Sequence, residues 1–78
     1  MNTNEENVLL LKSNQVISAL KRMGFAVTKS KHSHKLLSND NYKRTVVPSK
    51  SGMIISPLLL QRILKDLNIH INEFIEYL

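Results

Sequence analysis

The 78-residue sequence contains no cysteine and only two glycines, Gly24 and Gly52. Without cysteine the chain has neither a disulfide framework nor a thiolate zinc site, and such a composition fits a reducing compartment. Two separate glycines do not make the glycine-rich phosphate loop of nucleotide hydrolases. There is also no nucleophilic serine in the order of a catalytic triad. These absences argue against disulfide-rich domains, thiolate zinc proteins, nucleotide hydrolases and hydrolases with a serine triad.

The chain also lacks any apolar run near the ~18 residues that a membrane span needs. Its acidic, polar N-terminus is unlike a signal peptide. We therefore expect a soluble, cytoplasmic protein with no membrane partner. The chain is too short for two hydrophobic cores, so we predict a flexible tail over residues 1–7 and a single domain over residues 8–78. An active site in so small a domain would lie on its surface.

Acidic residues are almost missing from the middle of the chain. Between Lys12 and Lys50 there are nine basic residues and one acidic residue, Asp40, which gives this stretch a formal charge of +8. A basic middle between acidic ends suggests a polyanionic partner such as nucleic acid, although a merely soluble basic domain has the same composition. The lack of a carboxylate pair in this stretch argues against glycoside hydrolysis.

The first part of the domain is predicted to form a helix. Val8-Leu9-Leu10-Leu11 is a short apolar run that we expect to be extended and to dock on the core. Ser13 is a suitable N-cap, and the apolar residues that follow it recur at helical spacing. Gly24 is suited to the left-handed position that ends a helix. The first helix therefore runs over about residues 14–23.

From Phe25 the apolar period changes from helical spacing to two, which predicts a strand as far as Lys31. In this strand one side would carry Phe25, Val27, Lys29 and Lys31. A second strand over about residues 33–37 follows a tight turn. A third strand over residues 42–47 follows four turn-forming residues and ends at Pro48. The three strands are predicted to form an antiparallel meander.

Two further helices are predicted after the strands. Ser56 caps the principal core helix, which has Pro57 at its first position and Asn68 at its left-handed end. A short third helix follows from His70. The order is α-β-β-β-α with an added C-terminal helix, and helices on one face of a small antiparallel sheet make an α+β domain. This order is that of double-stranded-RNA-binding domains.

The segment from Lys29 to Lys35 holds the most reactive side chains: three lysines and two histidines without an acid. Imidazole can take and give a proton near neutral pH, and nearby lysines supply positive charge for a phosphodiester. His34 is the candidate general acid or base. A solvated basic strand with inactive histidines is the simpler interpretation. Two histidines without a nearby carboxylate or cysteine make a thin ligand set for a metal ion.

A wider set of residues is placed to contact RNA. Any one of its lysines could instead be only solvated. Tyr42 could stack on a base, but we expect it to pack on the sheet. The candidate RNA-binding residues are Lys29, Lys31, His32, Ser33, Lys35, Lys43, Arg44 and Lys50.

Several segments of the sequence together resemble those of one known protein family. The opening helix from Gln15 to Phe25 is similar to that of the family, and Lys31-His32-Ser33-His34 resembles its basic-Gly-Ser-His signature. Val46-Val47-Pro48 matches its third strand and Pro57–Asp66 its long second helix. Asn72-Glu73-Phe74-Ile75 matches a tail common in one branch. This ordered set, which runs from about Val8 to Leu78, resembles the HicA family, the toxin half of HicAB toxin–antitoxin pairs.

The resemblance implies an enzyme that cleaves mRNA with no bound metal or other cofactor. It assigns the catalytic histidine of the signature to His34, and it implies a HicB-like antitoxin protein as partner. The sequence departs from the family at three positions. His32 and Leu58 stand where the family has glycine, and Lys50 stands where many members have a second histidine.

Two alternatives remain open at the level of sequence. One is a non-catalytic RNA-binding domain of the same fold, and the other is an interaction domain that mainly binds its partner protein.

Overall fold

The computed structural model describes residues 9–78. The predicted order of elements is confirmed, with two additional short strands. The residues predicted as a flexible tail (1–7) and Val8, the first residue of the predicted domain, lie outside the described residues. In chain order the elements are β1 (Leu11–Lys12), α1 (Ser13–Arg22), β2 (Ala26–Lys31), β3 (His34–Ser38), β4 (Arg44–Pro48), β5 (Ile54–Ile55), α2 (Pro57–Leu67) and α3 (Ile71–Ile75).

A three-stranded antiparallel sheet in the order β2-β3-β4 forms the centre of the molecule. One face packs on the helices through Leu37 and Val47, which are fully buried. These residues join a single hydrophobic core with the apolar sides of α1 and α2 and with Phe74 of α3. The other face is left open. The predicted α+β class, with a sheet and helices like those of a double-stranded-RNA-binding domain, is confirmed.

The prediction that Phe25, Val27, Lys29 and Lys31 share one side of β2 is wrong. Val27 pairs with Leu37, but Lys29 pairs with the next residue of β3, Leu36, so the register shifts by one between them. A β-bulge of this kind inserts one extra residue, here Thr28, and reverses the face of every residue beyond it. Val27 therefore faces the core, whereas Lys29 and Lys31 lie on the open face.

Helix α1 starts one residue earlier than predicted. Lys12 is its N-cap, with its backbone N–H donating to the Gln15 side chain at 2.9 Å. Ser13, predicted as the cap, is instead the first helical residue and is buried. Its hydroxyl donates to the carbonyl of Pro48, and its backbone N–H donates to the carbonyl of Met53 at 2.9 Å. These tertiary partners explain why the hydroxyl does not cap the helix.

The end of α1 follows the prediction. Gly24 has φ +102°, which glycine adopts with little cost. The next residue, Phe25, is buried and its N–H donates to the Leu20 carbonyl at 3.0 Å. The chain thus turns from α1 directly into β2.

The predicted ends of α2 are also confirmed, and α3 follows from His70 as predicted. The Ser56 hydroxyl accepts from the Leu59 N–H at 3.2 Å, and Asn68 ends α2 in the left-handed conformation with φ 56°. His70 caps α3, because its Nδ1 accepts from the Asn72 N–H at 3.2 Å. Helix α3 ends at Ile75.

The apolar run before α1 docks on the core only in part: Leu11 is buried and Leu9 packs against the core, whereas Leu10 is 64% exposed and Val8 lies outside the described residues. Leu11 docks by pairing with a strand that the sequence pattern does not reveal. Leu11 pairs with Ile55 in a two-stranded antiparallel sheet, β1-β5, and both side chains are buried. This pairing brings the start of α1 close to the segment between β4 and α2.

Tyr42 does not pack on the sheet, contrary to expectation. It has φ 64° and its side chain is 93% exposed. The turn before β4 is organised by Asn39, whose side-chain oxygen accepts from the N–H groups of Asn41 and Lys43, each at 3.1 Å. This Asx turn forces Tyr42 outward into solvent.

Candidate nucleic-acid interface

His34 is the first residue of β3 and its side chain is exposed. It is paired across the sheet with Lys31 of β2 on one side and with Pro48 of β4 on the other. Directly opposite residues of antiparallel strands have Cβ atoms about 5 Å apart on the same face. His34 therefore lies where it was predicted, on the second strand of the meander and close to a lysine.

The β-bulge at Thr28 is what places positive charge beside His34. Beyond the bulge, Lys29 pairs with Leu36 and Lys31 with His34, and both lysines are exposed. The Thr28 hydroxyl donates to the Leu36 carbonyl at 3.4 Å, so the extra residue is held against β3. Without the register shift, Lys29 and Lys31 would share the face of Val27, towards the core.

An open cleft of about 570 Å³ lies between this face of the sheet and α2. Its sheet side includes His34, Leu36 and Val46, and the Val46 side chain is 49% exposed. Its α2 side includes Leu59 and Arg62. We call this surface the His34 face: His34, Leu36, Val46 and Pro48 at its centre, with Lys29, Lys31, Arg44 and Arg62 around them.

The cleft also contains one acid, Asp66, whose Oδ2 accepts from the hydroxyl of buried Thr45 at 2.9 Å. This bond joins α2 to β4 at the edge of the cleft. Arg62 lies one helical turn before Asp66 on the same side of α2. Thr45, Arg62 and Asp66 are not among the site residues predicted from sequence. The four-residue spacing of Arg62 and Asp66 on α2 is visible in the sequence. That spacing does not indicate which edge of the sheet α2 flanks.

The other predicted RNA-binding residues do not all lie on the His34 face. Arg44 does, opposite Ser38 at the far end of the strands. Lys43 precedes it in the Asx turn, remote from His34. Lys35 follows His34 on β3 and so points to the other side of the sheet, where it lines a separate cleft with Lys50.

His32 and Ser33 form the turn between β2 and β3. His32 is exposed and has φ 52°, a left-handed conformation that glycine adopts more readily. The Ser33 carbonyl accepts from the Ser49 N–H at 2.6 Å. The turn is therefore fixed to the segment that follows β4, which holds the His34 end of the sheet in place.

Residues 9–78 offer no candidate for either a cluster of metal-binding side chains or a membrane-spanning helix. In this range no three histidine, cysteine or acidic side chains come together as a ligand set for a metal ion. None of the helices over the same residues is long and apolar enough to cross a membrane.

Comparison with known protein families gives a match over most of the described residues. The family model described as the HicA toxin of bacterial toxin–antitoxin systems matches residues 13–69, which is 57 of the 78 residues. The matched range starts with α1 and includes the sheet, the His34 face and α2. No curated protein sequence matches the chain significantly.

Proposed function

Because this chain belongs to the family of HicA toxins of bacterial toxin–antitoxin systems, we propose that it is an endoribonuclease that cleaves mRNA in the cytoplasm through His34, without a bound metal. The single observation that carries the enzymatic part is an exposed histidine paired directly with a lysine on an open, cationic sheet face. Membership of the family makes the chain the toxin of its pair and implies an antitoxin partner.

The proposed reaction needs little from the protein because RNA contains its own nucleophile. The 2′-hydroxyl oxygen attacks the adjacent phosphorus, and the bond from phosphorus to the 5′-oxygen breaks. The imidazole of His34 accepts the proton of the 2′-hydroxyl or donates a proton to the leaving 5′-oxygen, and a solvent water makes the other proton transfer. Solvent access to His34 lets an RNA strand approach without any opening of the core.

Positive charge next to His34 supports the same reaction. Charge builds up on the phosphate oxygens in the transition state, and a fixed cation close to them lowers the barrier. Lys31 is the nearest candidate by its cross-strand pairing with His34. Arg62, from α2, lines the same cleft and offers a planar group that binds two phosphate oxygens at once.

The apolar centre of the His34 face would give the ribose or base a surface to rest on. Leu36 and Val46 are cross-strand partners there; Val46 is exposed and Leu36 is half-buried. This arrangement would bind RNA mainly by its backbone, with weak sequence selection, because it offers few hydrogen-bonding groups for base edges.

We also propose that a HicB-like antitoxin neutralises the protein by covering the His34 face. An exposed apolar centre with a cationic rim suits an acidic protein surface as well as RNA. Covering the face would block RNA sterically. A purified complex of the two proteins should therefore cleave RNA far more slowly than the free toxin.

The decisive experiment compares cleavage of one RNA by the parent protein, by His34→Ala and by His32→Ala. His34→Ala removes little buried area, so it should fold and bind RNA, yet cleave about 10²–10⁴-fold more slowly. His32→Ala removes the neighbouring exposed histidine and should cost much less. Folding of each variant is checked by circular dichroism.

Three results would contradict this assignment. If folded His34→Ala cleaves as fast as the parent, another residue carries the chemistry; if neither protein cleaves RNA, the chain is a non-catalytic RNA-binding domain. If a chelator abolishes cleavage by the parent, the histidines act as metal ligands instead of acid or base groups.

A further inference from the structure

A second basic surface lies on the opposite side of β3 from His34. The cleft there has a volume of about 510 Å³ and lies between α1 and the segment after β4. Four lysines line it, namely Lys12, Lys21, Lys35 and Lys50. We call it the lysine cleft. Its lysines come from β1, α1, β3 and the loop after β4, so the fold gathers residues that are far apart in sequence.

No acidic side chain lines the lysine cleft among residues 9–78. Four like charges facing one cleft repel one another, and a bound anion relieves that repulsion. The remaining lining is mostly small and polar, with Ser18, Ser49 and Ser51 among its residues. Hydroxyl groups and lysines are among the side chains that bind phosphate oxygens without reading sequence.

The wall of the cleft is held by hydrogen bonds rather than left as a loose loop. The Ser49 N–H donates to the carbonyl of Ser33, and the Met53 N–H donates to the carbonyl of Lys50 at 3.0 Å. Gly52, with φ 75°, allows the tight turn between Lys50 and Met53. A wall fixed in this way would lose little conformational freedom when a ligand binds.

We propose that the lysine cleft is a second RNA-binding site, which holds backbone phosphates of the same strand that is cleaved at His34. This rests on the proposed function, because it takes RNA as the substrate. His34 and Lys35 are consecutive residues on opposite faces of β3. A strand leaving His34 therefore needs only to pass around the end of the sheet, at Ser33 and Ser49, to reach the cleft.

An acidic protein is the other class of partner that four lysines could attract. The composition of the cleft favours RNA. Cores of protein interfaces are enriched in aromatic residues, methionine and arginine and depleted in lysine and serine. The lysine cleft has the reverse composition, whereas the His34 face has the exposed apolar centre that a protein partner uses.

The test measures RNA affinity in the His34→Ala background, so that binding is separated from cleavage. Single-stranded RNAs of about four and about twelve nucleotides are compared, since only the longer one spans both surfaces. The cleft variants are Lys21→Ala and Lys50→Ala. Lys65→Ala is the matched control, because it removes the same charge from an exposed position on α2 that lines neither surface.

Each cleft variant should weaken binding of the longer RNA several-fold more than Lys65→Ala does. The slope of log affinity against log salt should become shallower by about 0.7 for each phosphate that the variant no longer neutralises. For the shorter RNA, the cleft variants and Lys65→Ala should behave alike. Backbone amide signals of residues 49–53 should shift in an NMR titration with the longer RNA.

The proposal is overturned if the cleft variants bind the longer RNA as tightly as Lys65→Ala. It is also overturned if they lose affinity for the antitoxin while RNA binding is unchanged, since the cleft then serves a protein partner. Failure of the proposed enzymatic function gives a different result. In that case the parent does not cleave RNA, but the length-dependent binding through the cleft persists.

Discussion

Lys31 and His34 are cross-strand partners that close the β2–β3 hairpin, with the two-residue turn His32–Ser33 between them. Their side chains therefore lie close together on the same face, whether or not RNA is bound. This relationship depends on local hairpin geometry and on the bulge at Thr28, not on packing of the core. It puts a fixed positive charge next to the proposed acid or base.

The first prediction concerns that charge. Lys31→Ala should reduce kcat/KM for RNA about 10-fold at low salt, because a cation close to the reacting phosphate is worth about 1.4 kcal/mol when removed. Folding should be unaffected, since the Lys31 side chain is exposed. Lys43→Ala is the control, because Lys43 lies in the turn at the far end of the sheet. Equal losses for the two variants would mean that only net charge matters.

The second prediction concerns the bulge. Deleting Thr28 removes the extra residue and leaves Val27 and Lys29 as consecutive partners of Leu37 and Leu36. The faces of the remaining residues do not change, so this variant should fold and keep cleavage activity. Deleting Ser30 instead shifts the residues between the bulge and the turn, and should turn Lys29 towards the core.

Thermal unfolding and RNA cleavage of both deletion variants check this prediction. The Ser30 deletion should be the less stable and less active of the two. If the Thr28 deletion is the more damaging, the twist that the bulge adds to the hairpin matters more than its register shift.

Much of the fold is predictable from sequence because local signals agree with each other. Gly24, the Ser56-Pro57 pair and Asn68 mark helix ends by their own conformational preferences, and the structure confirms each. The bulge at Thr28 has no such signal. The alternation of side chains along a strand indicates which residues share a face, but only where the strand pairing is regular. The face of Lys29 and Lys31 is therefore decided by their pairing with β3.

The site is less predictable than the fold for a related reason. A lysine near His34 can be predicted because both lie in one basic hairpin, but the bulge decides that Lys31 shares the open face with His34. The presence of Arg62 and Asp66 beside them depends on where α2 lies against β4, which is decided by long-range packing. The β1-β5 pair, which contributes Lys12 to the lysine cleft, also depends on long-range pairing. Each of its strands is only two residues long, too short to show a pattern in the sequence.

The third prediction concerns the turn. His32→Gly should stabilise the domain by about 0.5–1 kcal/mol. A non-glycine residue at positive φ costs about 1–2 kcal/mol, and part of the gain from removing this cost is lost because glycine loses more conformational entropy on folding. Ser33→Gly is the matched control. Ser33 is not among the residues with positive φ, so its replacement should destabilise the domain.

Urea unfolding measures both changes. His32→Gly should also keep most of the cleavage activity, since His32 is not the proposed acid or base. A loss of activity as large as that of His34→Ala, with the fold intact, would contradict the assignment of roles to the two histidines.

The fourth prediction concerns the bond between β4 and α2. Thr45→Val keeps the buried volume but removes the hydroxyl that donates to Asp66 at 2.9 Å. A hydrogen bond to a partly solvated carboxylate contributes about 1 kcal/mol, so the free energy of unfolding should fall by about that amount. Thr28→Val removes only the long, exposed hydroxyl bond to the Leu36 carbonyl at 3.4 Å, so it is the comparison and should change stability by less than about 0.5 kcal/mol. Unchanged stability of Thr45→Val would mean that water replaces the bond at no cost.

The last prediction concerns α3, which lies beyond the residues that match the family model. Phe74 is fully buried and belongs to the same core cluster as residues of α1, the sheet and α2. Phe74→Ala should therefore destabilise the domain by about 3–5 kcal/mol, through lost burial and a cavity left in the core. A domain of this size has about 5–15 kcal/mol of stability at most to lose, so cleavage at 37 °C should fall as the folded fraction falls.

Tyr77→Ala, three residues further on and 37% exposed, is the control and should cost much less. Urea unfolding of both variants, with cleavage assayed at low and at high temperature, separates lost stability from lost chemistry. If Phe74→Ala is as stable as the parent, α3 is an appendage and the core ends with α2.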